Sequence, residues 1–187
     1  NSFNGFYSFY NAQIGIIKAS HIGNVNDLYN SIQNHIPNVI EPFTYNLNEP
    51  RQEVQHHLAK VNFQKMFSDY LFFDIQYAFQ LNNRKEFDIR RNSSNDLAAL
   101  DLQLATHTIK IDFKNSKNPL KWKAGINLGY QNNFANPKTG IRPLIPSYDK
   151  FETGFYGTSS YSLNNSTTFE AGLRYDFMTI EATKYYL

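Results

Sequence analysis

The sequence predicts an all-β fold, an antiparallel sheet of about seven strands belonging to a larger transmembrane barrel, and three observations carry that reading. Segments of ten or more residues sort apolar and polar side chains with a period of two, the spacing at which successive strand residues point to opposite faces. The clearest is 69–81, where Leu71, Phe73, Ile75, Tyr77, Phe79 and Leu81 alternate with Asp74, Gln76 and Gln80. The composition is 41% hydrophobic with a heavy aromatic share of 16%, and leucine-rich helical stretches are few. Charge is also placed with the same period: Glu170, Arg174 and Asp176 oppose Phe169, Ala171, Leu173, Tyr175 and Phe177. A soluble sandwich shows that charged side to solvent, whereas a membrane barrel turns it toward its lumen.

Taken in order, period and breakers place strands at 4–17, 53–65, 69–81, 99–113, 120–131, 151–163 and 167–180. In the fifth, Trp122, Ala124, Ile126, Leu128 and Tyr130 oppose Lys121, Lys123, Asn127 and Gln131. The connectors 66–68, 114–119 and 164–166 are short and polar, while 18–52, 82–98 and 132–150 are long. Short turns on one rim and long loops on the other are the pattern of outer-membrane barrels, and strands beginning at 4, 69, 120 and 167 would then run outward. Two strands break their own parity. In 99–113 the apolar set changes from Leu100, Leu102 and Leu104 to Ile109, Ile111 and Phe113, which predicts a β-bulge near Thr106–Thr108, and a similar flip lies at 58–61. Within the first long connector, Val25, Leu28, Ile32 and Ile36 recur at helical spacing before Pro37, so a short amphipathic helix is expected there.

Composition excludes several classes. A net charge of +2 from 18 basic and 16 acidic side chains argues against nucleic acid as a partner. Zero cysteines excludes a disulfide framework and thiolate metal sites. The longest apolar runs, such as 14–17, fall far short of the ~20 residues of a membrane-spanning helix. A β-barrel needs only ~10-residue alternating segments, and the mean hydropathy of −0.52 fits a polar lumen with long loops. The first residue is Asn1, which suggests a chain cut from a longer precursor. Seven strands cannot close into the even-numbered bacterial barrel, so residues 1–187 are expected to be one segment of a barrel domain, its neighbours pairing with the first and last strands. Nucleophile elbows, paired metal-binding histidines, phosphate loops and EF-hand loops do not occur, which points away from an enzyme and from any cofactor.

Several segments go beyond pattern. They include Gly15-Ile16-Ile17-Lys18-Ala19-Ser20-His21-Ile22-Gly23-Asn24, Leu81-Asn82-Asn83-Arg84-Lys85-Glu86-Phe87-Asp88-Ile89-Arg90-Arg91, and Thr139-Gly140-Ile141-Arg142-Pro143-Leu144-Ile145-Pro146-Ser147-Tyr148. Together with Pro50-Arg51-Gln52-Glu53-Val54-Gln55-His56-His57 and Ala171-Gly172-Leu173-Arg174-Tyr175-Asp176, these resemble the barrel domain of TonB-dependent outer-membrane receptors, in a Bacteroidetes-type branch of iron or siderophore receptors. The resemblance runs along the whole chain in order. It implies a barrel of ~22 strands with a lumenal plug, outer-membrane lipid around it, an energy-coupling TonB complex reached through that plug, and uptake of a scarce small ligand such as a siderophore, haem, vitamin or glycan. The 187 residues contain neither plug nor energy-coupling box.

The candidate ligand-binding residues sit in the long connectors. Arg84, Lys85, Arg90 and Arg91, interleaved with Glu86 and Asp88, could meet an anionic ligand or lipid phosphate through guanidinium forks, or could form an internal ion-pair lattice that orders the loop. Lys138, Arg142 and Tyr148, with Lys150, could form a neighbouring wall of an external vestibule stiffened by Pro137, Pro143 and Pro146. His21 is the best single imidazole candidate for ligand contact; adjacent His56 and His57 face opposite sides of a strand and cannot share one ion. Lys121, Lys123, Arg174, Asp74, Glu170 and Asp176 are expected on the lumenal side, paired with one another or with the plug. Two alternatives stay open: a passive porin or structural barrel, and a soluble β-sandwich or lipocalin-like binder.

Overall fold

A computed structural model of the chain describes residues 1–17, 24–34, 40, 42–88 and 97–183. Its seven strands are β1 Ser2–Gly15, β2 Arg51–Ser68, β3 Leu71–Phe87, β4 Leu100–Asn115, β5 Leu120–Ala135, β6 Ser147–Ser162 and β7 Thr168–Thr183. They form one antiparallel meander in sequence order, β1 to β7. Every expected strand is present, and β3, β5, β6 and β7 extend at the end that carries the long connectors. The three tight turns share the other end. Helix α1, Val25–Gln33, lies in the first long connector as its spacing predicts, capped by Asn24, whose Oδ1 accepts the Asp27 N–H at 2.9 Å.

Cross-strand partners share a face, so the register decides which residues sit together. From Phe63↔Ile75, Ile75↔Ile111, Ile111↔Ile126, Ile126↔Phe155 and Phe155↔Tyr175, one rung of apolar side chains crosses six strands. Rungs on either side continue it into a belt. On β3 the belt runs from Leu71 to Leu81, about 33 Å along the strand and ~25 Å in height at a 40° tilt, the height of the apolar band of outer-membrane barrels. Aromatic rings line both margins: Phe67, Phe73, Phe113 and Trp122 toward the turns, and Tyr77, Phe79, His107 and Tyr130 toward the loops.

The bulge expected at Thr106–Thr108 is absent. Register from Leu71↔Asn115 to Glu86↔Leu100 advances without a break, so Leu100, Leu102 and Leu104 lie on the face opposite Ile109, Ile111 and Phe113. The flip at 58–61 is likewise continuous, and the irregularity in β2 falls instead between Met66 and Ser68, beside the turn. What changes is the environment each face must meet. At the loop end the apolar face becomes polar, with Asn11, Gln13, Gln55, Asn83, Gln103 and Asn132, while the opposite face takes Ile14, Val54, Leu58, Leu102, Leu104, Met178 and Ile180. The exchange is made by β1, β2, β4 and β7, whereas β3, β5 and β6 keep Arg84, Glu86, Gln131, Asn133, Lys150 and Glu152 on the opposite face at this height.

No second layer packs on either face among the described residues. The accessible surface of 13654 Å² exceeds the about 9,200 Å² of a compact protein of this mass. Buried apolar side chains are confined to Ala78, Phe87, Ala98 and Ala135, and Leu173 in the belt is 81% exposed. This sheet has no interior of its own.

Candidate functional site

The face opposite the belt carries the charge. Alternation in Lys110-Ile111-Asp112-Phe113-Lys114 puts all three ionisable side chains on it, and Lys121, Lys123, Asp74, Glu170, Arg174 and Asp176 join them there as the sequence predicts. Their pairing is internal. Lys123 Nζ lies 3.0 Å and Lys110 Nζ 3.7 Å from Asp112 Oδ2, Lys114 Nζ lies 2.8 Å from Asp74 Oδ2, and Arg174 grips Asp176 through two 2.7 Å bonds. Gln64 Nε2 donates to Asp74 Oδ1 at 2.6 Å.

Asp112, only 8% exposed, is the centre of this network and was not singled out by sequence reasoning. Tyr156 donates its hydroxyl to Asp112 Oδ1 from two strands away. Gly125 makes that reach possible: a Cβ there would sit 2.5 Å from Tyr156 Cζ and 2.6 Å from Asp112 Oδ1. Gly129 serves Glu152 in the same way, since a Cβ would meet Glu152 Cγ at 2.6 Å. The recesses let long polar side chains lie flat on the sheet. A shallow depression of ≈ 470 Å³ remains beside them, lined by Gln76, Lys110, Asn127, Glu152, Arg174 and Asp176, donors and acceptors in near balance.

The structure places the described candidate residues on different elements. Arg84 and Lys85 are neighbours on β3 and therefore point to opposite faces. Arg84 ion-pairs with Glu86, and with the Gln52 amide oxygen turned toward it donates to that oxygen from Nε at 2.5 Å and from Nη2 at 2.9 Å. Lys85 stands on the belt side, between Glu53 and Asp101 on the flanking strands. Arg90, Arg91 and His21 lie outside the described residues. Tyr148 is on the charged face and donates to Gln131 Oε1 at 2.7 Å; β4 and β5 lie between it and Arg84, three strand spacings or about 14 Å. Lys138 belongs to a 3-10 turn, Pro137–Thr139, closed by Gly140 at φ 67, and Arg142 is an exposed residue of the same connector. Lys150 pairs with Glu152 at 2.7 Å. Among the described candidates, Arg84 and Lys150 thus sit in local ion pairs, Tyr148 in a hydrogen bond, and Lys138 and Arg142 in the β5–β6 connector.

At the mouth, Arg51 meets Glu49 Oε1 at 2.5 Å and Glu53 Oε1 at 3.0 Å, and its guanidinium stacks 3.9 Å over the Phe87 ring. Burial pulls the Arg51 guanidinium down, but the two carboxylates outweigh it and hold it above its ordinary value.

The histidines take bland structural parts. His56 and His57 do face opposite sides, His56 Nδ1 meeting Asn82 Nδ2 at 3.3 Å. On the belt side a unit recurs that sequence reasoning missed: Tyr7 and Phe9 of β1 enclose His57, and Tyr77 and Phe79 of β3 enclose His107. Tyr7 Oη is 2.9 Å from His57 Nδ1, Tyr77 Oη is 2.8 Å from His107 Nδ1, and each Phe ring centroid lies 4.6 or 4.8 Å from the imidazole. The signal was a Tyr-x-Phe triplet on two strands. Both units stand at the loop-side margin of the belt, where amphipathic rings suit an apolar–polar boundary. Among the described residues no group of three His, Asp or Glu side chains is placed to hold a metal ion.

Comparison with protein-family models, with curated proteins and with solved structures returned no match.

Proposed function

We propose that this chain is a wall segment of an outer-membrane β-barrel receptor that takes up a scarce small ligand through TonB-dependent coupling. The observation that carries the wall is the belt: ~25 Å of apolar side chains with aromatic margins across the seven strands, opposed by a face rich in paired charges. Hydrocarbon can cover such a belt, and a lumen can hydrate such a charged face. The long unpaired edges of β1 and β7 support a larger barrel, because in lipid an open edge leaves backbone donors and acceptors without partners. Long connectors gathered at one rim support a receptor mouth, and the resemblance in the loop segments supports energised uptake over passive passage. A sandwich finds less support, since no second sheet faces the belt.

The ligand class follows from the resemblance alone, so the test addresses it directly. In cells whose only iron source is a ferric siderophore, deleting the gene should abolish uptake of the labelled complex, and a protonophore should abolish it in the intact strain. Uptake that survives the protonophore would favour a passive porin. Recovery of the protein outside the outer-membrane fraction would overturn the wall.

A further inference from the structure

We propose that α1 is an internal cap, its apolar stripe laid on the apolar patch that β1 and β2 present to the lumen at the mouth. The proposal rests on the wall reading above. Val25, Leu28, Tyr29 and Ile32 recur at i, i+3, i+4 and i+7, forming one stripe, and they are 65%, 41%, 60% and 68% exposed with no residue of the helix buried. A helix of nine residues is too short to persist in water by itself. It needs an apolar surface within reach.

Two such surfaces exist near its tethers, and polarity separates them. The outer belt is cut off from the β1–β2 rim by Asn11, Gln13, Glu53 and Gln55. On the opposite face, Tyr10, Ala12 and Ile14 of β1 adjoin Val54 and, diagonally, Leu58 of β2, an apolar cluster with Gln52 and His56 in the same ladder and Arg84 beside Val54 on β3. Residues 16–24 join Gly15 to α1 and span up to about 30 Å when extended, enough to lay the helix over this patch. The same patch is what the exchange of polarity between faces creates at this height. An apolar lumenal surface next to an uncovered amphipathic helix on the same connector is accounted for when the two meet.

The chain contains no cysteine, which makes a cross-linking test direct. In the membrane-inserted protein, Leu28→Cys with Val54→Cys should link through a short bismaleimide at least ten-fold more than Leu28→Cys with Gln55→Cys, whose side chain points to the other face. Equal linking, linking to Gln55→Cys only, or links that form between molecules would overturn the cap. Independently, Leu28→Asp with Ile32→Asp should raise maleimide labelling of Val54→Cys or Leu58→Cys several-fold, and an unchanged rate would overturn it. Heat-modifiable gel migration reads barrel assembly separately: assembled protein lacking the Val54 link removes the cap alone, whereas no assembly in any variant removes the wall.

Discussion

At the scale of single residues, the charged face is organised by the places where side chains are missing. Asp112 collects Lys110, Lys123 and Tyr156 because Gly125 leaves the space in which the tyrosine ring and the carboxylate meet. Removing one partner from such a cluster leaves the others desolvated without compensation, so small geometric intrusions are felt. If the chain is the barrel wall proposed above, Gly125→Ala should therefore cost about 1–3 kcal/mol in reversible urea unfolding of the lipid-refolded protein. Gly157→Ala is the internal control: its nearest foreign atom, the Lys123 carbonyl oxygen, is 4.0 Å from the added methyl, so the change should stay within about 0.5 kcal/mol. Equal effects at both glycines would show that the recess over Asp112 contributes nothing. The opposite facing of Arg84 and Lys85 belongs to this scale too. Strand parity makes it legible, because both residues continue the alternation of β3.

At the scale of the element, β4 shows how a strand can carry two apolar sets without a bulge. Leu100, Leu102 and Leu104 and the later Ile109, Ile111 and Phe113 keep one register, so they occupy different faces at different heights. The loop-end leucines lie among Asn82, Arg84 and Glu86 of β3 and Asn133 of β5. Ile111→Arg, in mid-belt, is expected to cost ~2–4 kcal/mol, as are Ile75→Arg and Leu128→Arg, whereas Gln76→Arg and Asn127→Arg on the charged face should be tolerated. Leu102→Arg should cost clearly less than Ile111→Arg although both replace a branched aliphatic side chain. Unfolding free energies in lipid vesicles check the ranking, and a Leu102 effect as large as that at Ile111 would defeat the assignment of faces. The parity break was visible in the sequence, but its cause was not: periodicity reports alternation within a strand, and only the pairing register tells whether the strand has slipped or its surroundings have changed.

At the scale of the whole molecule, the sheet is a surface without an interior. Its accessible area, its few buried apolar side chains and its two unpaired long edges describe a piece whose stability depends on what lies against it. Purified without detergent, the 187-residue chain should self-associate and unfold without a single cooperative transition, as seen by size exclusion and by urea titration of tryptophan and tyrosine fluorescence. A stable monomer with a sharp transition would instead favour a soluble β-protein that closes on itself. The histidine-centred aromatic units at the loop-side margin fit the same picture, since they stand where the belt gives way to polar side chains on every strand.

Seven strands, one short helix and the alternation of tight and long connectors were set by the amino-acid sequence itself, because period, turn residues and helix caps act over a few residues. The tertiary structure decided which strands neighbour one another, that both parity breaks keep their register, that Asp112 rather than the loop cations anchors the densest charge network, and that the rim cations divide between two faces. Those outcomes depend on side chains brought together from strands far apart in the chain, and local patterning holds no record of such distances.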